Sequence, residues 1–326
     1  MRKYFLPIII GLVLLIVGGL ICNGTMKEVD YDFTVLNIVK FETELCEISD
    51  EFQNINIQGD NLNVLIEASK DEKCQVSFSD NVKSKHTAKV KDDTLMIKAN
   101  DGRDWYEHFG VNLVRPEVII SLPKERYEAL VIEAANGSVT LSSGMMFQSV
   151  CISLDAGEIE CLTDVEQSIE LQLGAGDIQV ANLHAAELKV NTATASVGME
   201  KVTIDRCLDI SLNAGSAELT DVTCGELRYS GNASDLELER VLSSGDIRIK
   251  NMTGDISFEE CDAKEFHVET VSGDVEGTIL TDKAFSVDTV SGSVRVPDTN
   301  DGGDFNIKTV SGDVKIRIER ERGIEN

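Results

Sequence analysis

TVSGDV at residues 270–275, repeated as TVSGSV at 289–294 and TVSGDV at 309–314, is the stretch from which the rest of the chain can be read. With the glycine of each hexamer as a pivot, weaker copies centre on Gly137, Gly157, Gly176, Ala195, Gly215, Ser234 and Gly254, ahead of Gly273, Gly292 and Gly312. Every step is 19 or 20 residues. A fixed period of that length is the mark of a repeat architecture, and so short a unit cannot enclose a core by itself.

The alignment sorts residue types into columns. Seven before the pivot stand Leu130, Val150, Ile169, Leu188, Leu208, Leu227, Ile247, Phe266, Phe285 and Phe305. Five before it the residues are again apolar, from Ile132 to Ile307. Two and four after it come mostly Val, Ile and Leu, with Ala217 before Leu219 reading as a local bulge. A weaker inward column lies about seven past the pivot, with Leu183, Val202, Val222, Val241, Cys261 and Leu280. Charged and hydroxyl residues fill the positions between, the alternation of strands with one buried face.

Each repeat therefore supplies two short strands around a small-residue corner, plus a looser third side. The fold class expected is all-β, a parallel β-solenoid (β-helix) of about ten 19–20-residue rungs over 126–318. Glycine at the pivot permits a corner closed to bulky residues, and the Asp or Ser after it can bond neighbouring backbone N–H groups. Residues 25–125 are less regular. There, 55–66 reads as a degraded rung, and runs at 74–78, 88–98 and 117–122 as strands of a part covering the open first rung. The charged tail 319–326 is placed to protect the other edge.

Composition agrees with this reading. Aromatic residues make up 5% of the chain and there are 25 glycines and four prolines, which suits aliphatic strands and tight turns. The formal charge of -27, from 57 acidic against 30 basic residues, makes nucleic acid an unsuitable partner. Residues 4–21 carry no charge, and 18 helical residues reach about 27 Å, close to a hydrocarbon core. Arg2 and Lys3 precede them and Glu28, Asp30 and Asp32 follow, so residues 1–24 are expected to be a single-pass anchor with a cytoplasmic N-terminus and an extracytoplasmic body. A cleaved signal peptide and a lipidated Cys22 compete with it. The first lacks an Ala-x-Ala-like site, and the second has Ile21 where a small residue is expected.

QGDNLNVLIEAS at 58–69, DDTLMIKA at 92–99, VIISLPK at 118–124 and the SGDV repeats together resemble the DUF4097 family of bacterial β-strand-repeat proteins, over about residues 50–318. The resemblance implies a β-solenoid of the kind regarded as a candidate adhesin, sometimes associated with envelope stress. It carries over no catalytic motif and no cofactor.

The residues themselves offer few sites. On the outward columns Arg228, Arg248, Lys250 and His267 fall on neighbouring rungs and form a basic patch suited to an anionic polymer. Asp209, Glu269 and Asp288 lie close enough in the same columns to pair with them. The stretch 101–109 holds Arg103, Trp105, Tyr106 and His108, the densest aromatic cluster, fit either for recognition or for capping. Asp177, Asp235, Asp255, Asp274 and Asp313, with Glu158, form a corner ladder that Ser138, Ser196, Ser216 and Ser293 interrupt, read as turn chemistry rather than a cation site. Eight cysteines include no CxxC pair, so no metal site is expected, and Cys207 with Cys224 is the pair to test for a disulfide. Two functions follow. One is a non-catalytic surface, adhesion or envelope-stress module whose partner is a cell-envelope polymer or membrane protein. The other is a β-helix carbohydrate-active enzyme acting on an acidic polysaccharide, which rests on fold analogy.

Overall fold

The computed structural model describes residues 41–81, 84–101 and 117–319. The expected anchor at 4–21, the candidate site residues Arg103, Trp105, Tyr106 and His108, and the tail beyond 319 lie outside the described residues. Among the described residues there are eighteen strands and no helix, and so none long and apolar enough to cross a membrane.

The strands follow from the columns. β2 (Asn54–Ala68), β7 (Arg126–Leu141), β8 (Met146–Cys161) and β9 (Asp164–Glu239) pair in parallel, each residue lying beside its counterpart in the next repeat. Ile55 faces Leu130, Leu130 faces Val150, and Val150 faces Ile169. The segment at 55–66 is thus a rung, 75 residues ahead of the one it lies on. From Leu130 through Phe266 the first apolar column is buried throughout, as is Phe305. Alternating burial continues unbroken past Ala217 and Leu219, so the bulge expected there is absent. The shift falls later, between Phe258 and Cys261, and brings Ile279 rather than Leu280 into the inward position.

At the pivot the backbones of successive rungs nearly touch. Gly157 has φ +144°, and a Cβ there would lie 1.7 Å from the carbonyl oxygen of Gly137, so no side chain fits. Ser234 breaks the column at a buried position. Its hydroxyl accepts from Tyr229 Oη at 2.7 Å and donates to Asn251 Oδ1 at 3.3 Å, while Asn251 Nδ2 donates to the Ser234 carbonyl. A second corner, six past the pivot, holds Asn182, Lys201, Asp221, Arg240 and Glu260, all with φ between 51° and 55°.

Before the first rung the pairing changes direction. β1 (Phe41–Ile48) lies antiparallel to β3 (Cys74–Asn81), and β3 antiparallel to β6 (Glu117–Leu122). β4 (Ser84–Lys91) lies antiparallel to β5 (Thr94–Asp101). β5 and β6 then pair with the first and second halves of β2 on its free side, and Leu95, Ile97, Val118 and Ile120 are buried there.

The last rungs depart from chain order. β10 (Leu242–Ser243), β11 (Asp246–Thr253) and β12 (Ile256–Cys261) are followed by the rung of β13 (Glu265–Ser272) and β14 (Val275–Ile279). Next in space comes not the rung of β15 (Lys283–Ser291) and β16 (Val294–Arg295) but that of β17 (Gly303–Ser311) and β18 (Val314–Ile318). Phe305 faces Phe266 on one side and Phe285 on the other, and Val314 lies between Val275 and Val294. The C-terminal rung is intercalated, and 283–295 forms the outer level. Glu319, the last described residue, lies one level inside the outer rung, its N–H donating to the Ile279 carbonyl.

Two local features permit the insertion. Gly303 lies beside Lys283 and has no side chain, so Lys283 reaches past it to Asp262 at 2.9 Å and Thr281 at 2.6 Å, with its own side chain 6% exposed. The corner carboxylates supply the other. Asp313 accepts the Ser293 N–H and donates its own N–H to Asp274, which ties the inserted rung to the levels on both sides.

Candidate functional site

The corner ladder is structural. Asp235 accepts the N–H of Asp255 at 3.0 Å, Asp255 that of Asp274 at 2.8 Å, and Asp274 that of Asp313 at 2.8 Å. The Ser293 N–H holds the Asp313 carboxyl below its ordinary 3.8. Backbone donors thus occupy these oxygens, as turn chemistry requires.

The basic patch forms on the outward side of β9, β11 and β13. Arg228 faces Arg248 directly, Arg248 faces His267, and Lys250 faces Glu269. Like charges in adjacent register need counterions, which the neighbouring column supplies to the arginines and the same column to Lys250. Arg228 makes a two-pronged contact with Glu226 at 3.1 and 2.9 Å, Arg248 meets Asp246 at 2.6 Å, and Lys250 meets Glu269 at 3.4 Å. All three cations are about half exposed or more, so the ion pairs contribute little to stability and leave the heads available to solvent.

Beside them lies a group that the sequence columns do not single out. Asp246, Glu265 and His267 each place one donor atom within 4.8 Å of the others. Asp246 faces Glu265 across the rungs, and His267 Nε2 lies 3.2 Å from Glu265. The Arg248 guanidinium holds Asp246, which makes the group an ion-pair cluster. Its signal was the outward acidic column Glu226, Asp246, Glu265 and Asp304 running beside Arg228, Arg248 and His267.

Among the described residues the cysteines do not pair. Cys207 and Cys224 are free thiols, because Cys207 shares the outward column of Glu226 while Cys224 faces inward. Burial pushes Cys161 up to about 12 and Cys224 and Cys261 up to about 11, which leaves them inert at neutral pH. Among the described residues an open hollow of 520 Å³ lies toward the other end, lined by Gln58, Asp60, Lys98, Glu133 and Asp155 among others.

Several solved structures are similar to this chain. One is a candidate adhesin from Parabacteroides distasonis, 12% identical with TM-score 0.49, covering 84% of this chain and 98% of that one. Another is a candidate lipid-binding protein from the same species, 15% identical with TM-score 0.46, covering 85% and 97%. A third is a candidate adhesin from Bacteroides fragilis, 14% identical with TM-score 0.45, covering 85% and 97%. No curated protein matches the sequence. The family model for Toastrack DUF4097 matches residues 52–251 and 201–325, nearly everything beyond the first fifty residues, and the chain belongs to that family.

Proposed function

We propose that this chain is a non-catalytic surface or adhesion module, held at the cell membrane by residues 4–21 with its rungs outside the cytoplasm. The observation that carries the reading is the division of labour among columns. Inward positions are aliphatic filling, corner carboxylates are occupied by backbone N–H groups, and outward charges are paired in flat ladders. Acid–base chemistry on a glycan needs carboxylates converging on a cleft. A flat ladder instead offers many weak, exposed contacts to a cell-envelope polymer or a membrane protein partner.

The test is retention of cell-wall polymers and solubilised membrane proteins by the full-length chain. Retention should weaken with salt and fall when Arg228, Arg248 and Lys250 are changed together to Ala. Nothing retained at physiological salt, or turnover of an acidic glycan that this variant loses, would overturn the reading.

A further inference from the structure

Met252, Val271, Val310 and Val290 stand two before the pivot on four successive levels, and all point outward. Their exposures are 55%, 48%, 50% and 81%, half of the large exposed apolar side chains among the described residues. In earlier rungs the column is polar or small, with Asn213 and Asn232. At about 4.8 Å per level, the four make a stripe roughly 14 Å long. A stripe of this kind on an acidic surface is a contact site rather than scattered apolar exposure.

The neighbouring outward column says what covers it. Two residues before the stripe stand Lys250, Glu269, Lys308 and Asp288, in their order along the stack. The signs alternate. If a second copy lies against this face with its rung order reversed, about a two-fold axis parallel to the strands, Lys250 meets Asp288 and Glu269 meets Lys308, twice each. The apolar column meets itself, Met252 on Val290 and Val271 on Val310. Stacked in chain order, the same residues would read Lys250, Glu269, Asp288, Lys308, and reversal would set Lys on Lys and Glu on Asp. The match therefore depends on the intercalated rung.

We infer that this face of the last four levels is a self-complementary contact for a second copy of the chain, paired isologously through the Met252–Val271–Val310–Val290 stripe. The patch falls short of the roughly 800 Å² per partner of a standard interface, so the dimer is a weak one that forms only at raised concentration. The inference is independent of which external partner the surface engages.

Sedimentation equilibrium of the full-length chain in detergent micelles, over a rising concentration series, tests it. The wild type should move from monomer to dimer. Val271→Asn with Val310→Asn, residues the same column already carries elsewhere, should cut the association constant at least tenfold with the melting temperature unchanged. Lys308→Glu should weaken association similarly, and adding Glu269→Lys should restore it. A wild type that stays monomeric throughout, an unaltered constant in the Asn pair, or a charge-swapped chain that folds but does not regain association would each overturn the inference.

Discussion

Phe305 stacks on Phe266, ring centroids 4.5 Å apart and planes 16° from parallel, although 39 residues separate them. Phe285, between them in sequence, lies on the far side of Phe305 with centroids 5.3 Å apart. Cross-linking reads this order directly. Ser272 and Ser311 are exposed register partners, whereas Ser272 and Ser291 are two levels apart. A disulfide spans adjacent strands but not about 9.6 Å. Ser272→Cys with Ser311→Cys should therefore oxidise to a linked form, seen as a mass loss of two hydrogens, and Ser272→Cys with Ser291→Cys should not.

Removing the central ring should loosen the whole end. Phe305 is fully buried against Phe266, Phe285 and Phe258. Phe305→Ala should cost about 3–5 kcal/mol in denaturant unfolding, since the rungs on either side cannot close the gap without breaking their ladder. A loss below about 1 kcal/mol would mean the rings do not hold the inserted rung.

Lys283 and Asp262 clasp the crossover that makes the insertion possible. Lys283→Ala leaves the Asp262 carboxylate with only Thr281 and a backbone N–H, and should destabilise by about 3 kcal/mol. Lys283→Met, which keeps the packing near Phe266, should cost less.

Asp313 links the inserted rung to the outer one, and its effect should depend on pH. Its folded carboxyl lies below the ordinary 3.8, so its contribution is present above that value and is lost as pH falls through the folded one. In thermal melts, Asp313→Asn should lower the melting temperature at pH 7 and narrow the gap to wild type as pH drops from about 4 toward 2. A gap constant across that range would remove the carboxylate from the argument.

Thiol labelling separates inward from outward columns. At pH 8 the folded protein should leave Cys74, Cys161, Cys224 and Cys261 unreacted, because burial raises each well above that pH. Cys46, Cys151 and Cys207, all partly exposed, should react slowly, and denaturant should release the rest. Prompt labelling of Cys161 in the native state would contradict its inward placement.

Column arithmetic was enough to assign burial for most of the chain. Leu130 through Val268 are inward because a 19-residue period and a two-residue alternation leave only one face that can be dry. The pairing of the basic patch was legible in part: Lys250 meets Glu269 in its own column, whereas Arg228 and Arg248 turn to Glu226 and Asp246, two residues earlier on their own strands, rather than to Asp209 or Asp288. The Asp246, Glu265 and His267 group showed only as an acidic column beside a basic one, because its donors come together through side-chain reach across two rungs.

The order of the last two rungs was hidden from periodicity because TVSGDV and TVSGSV share one register and satisfy the same apolar ladder. A difference of a single residue separates them. In the observed order Asp313 accepts the Ser293 N–H, a contact that depends on which hexamer lies beneath the other. Local alternation was enough for the period, the all-β class and the facing of most side chains, with the shift that turns Ile279 rather than Leu280 inward as an exception. Only the tertiary structure decided which rung lies on which, because that rests on contacts between Phe266 and Phe305, Lys283 and Asp262, and Asp274 and Asp313 that no local pattern records.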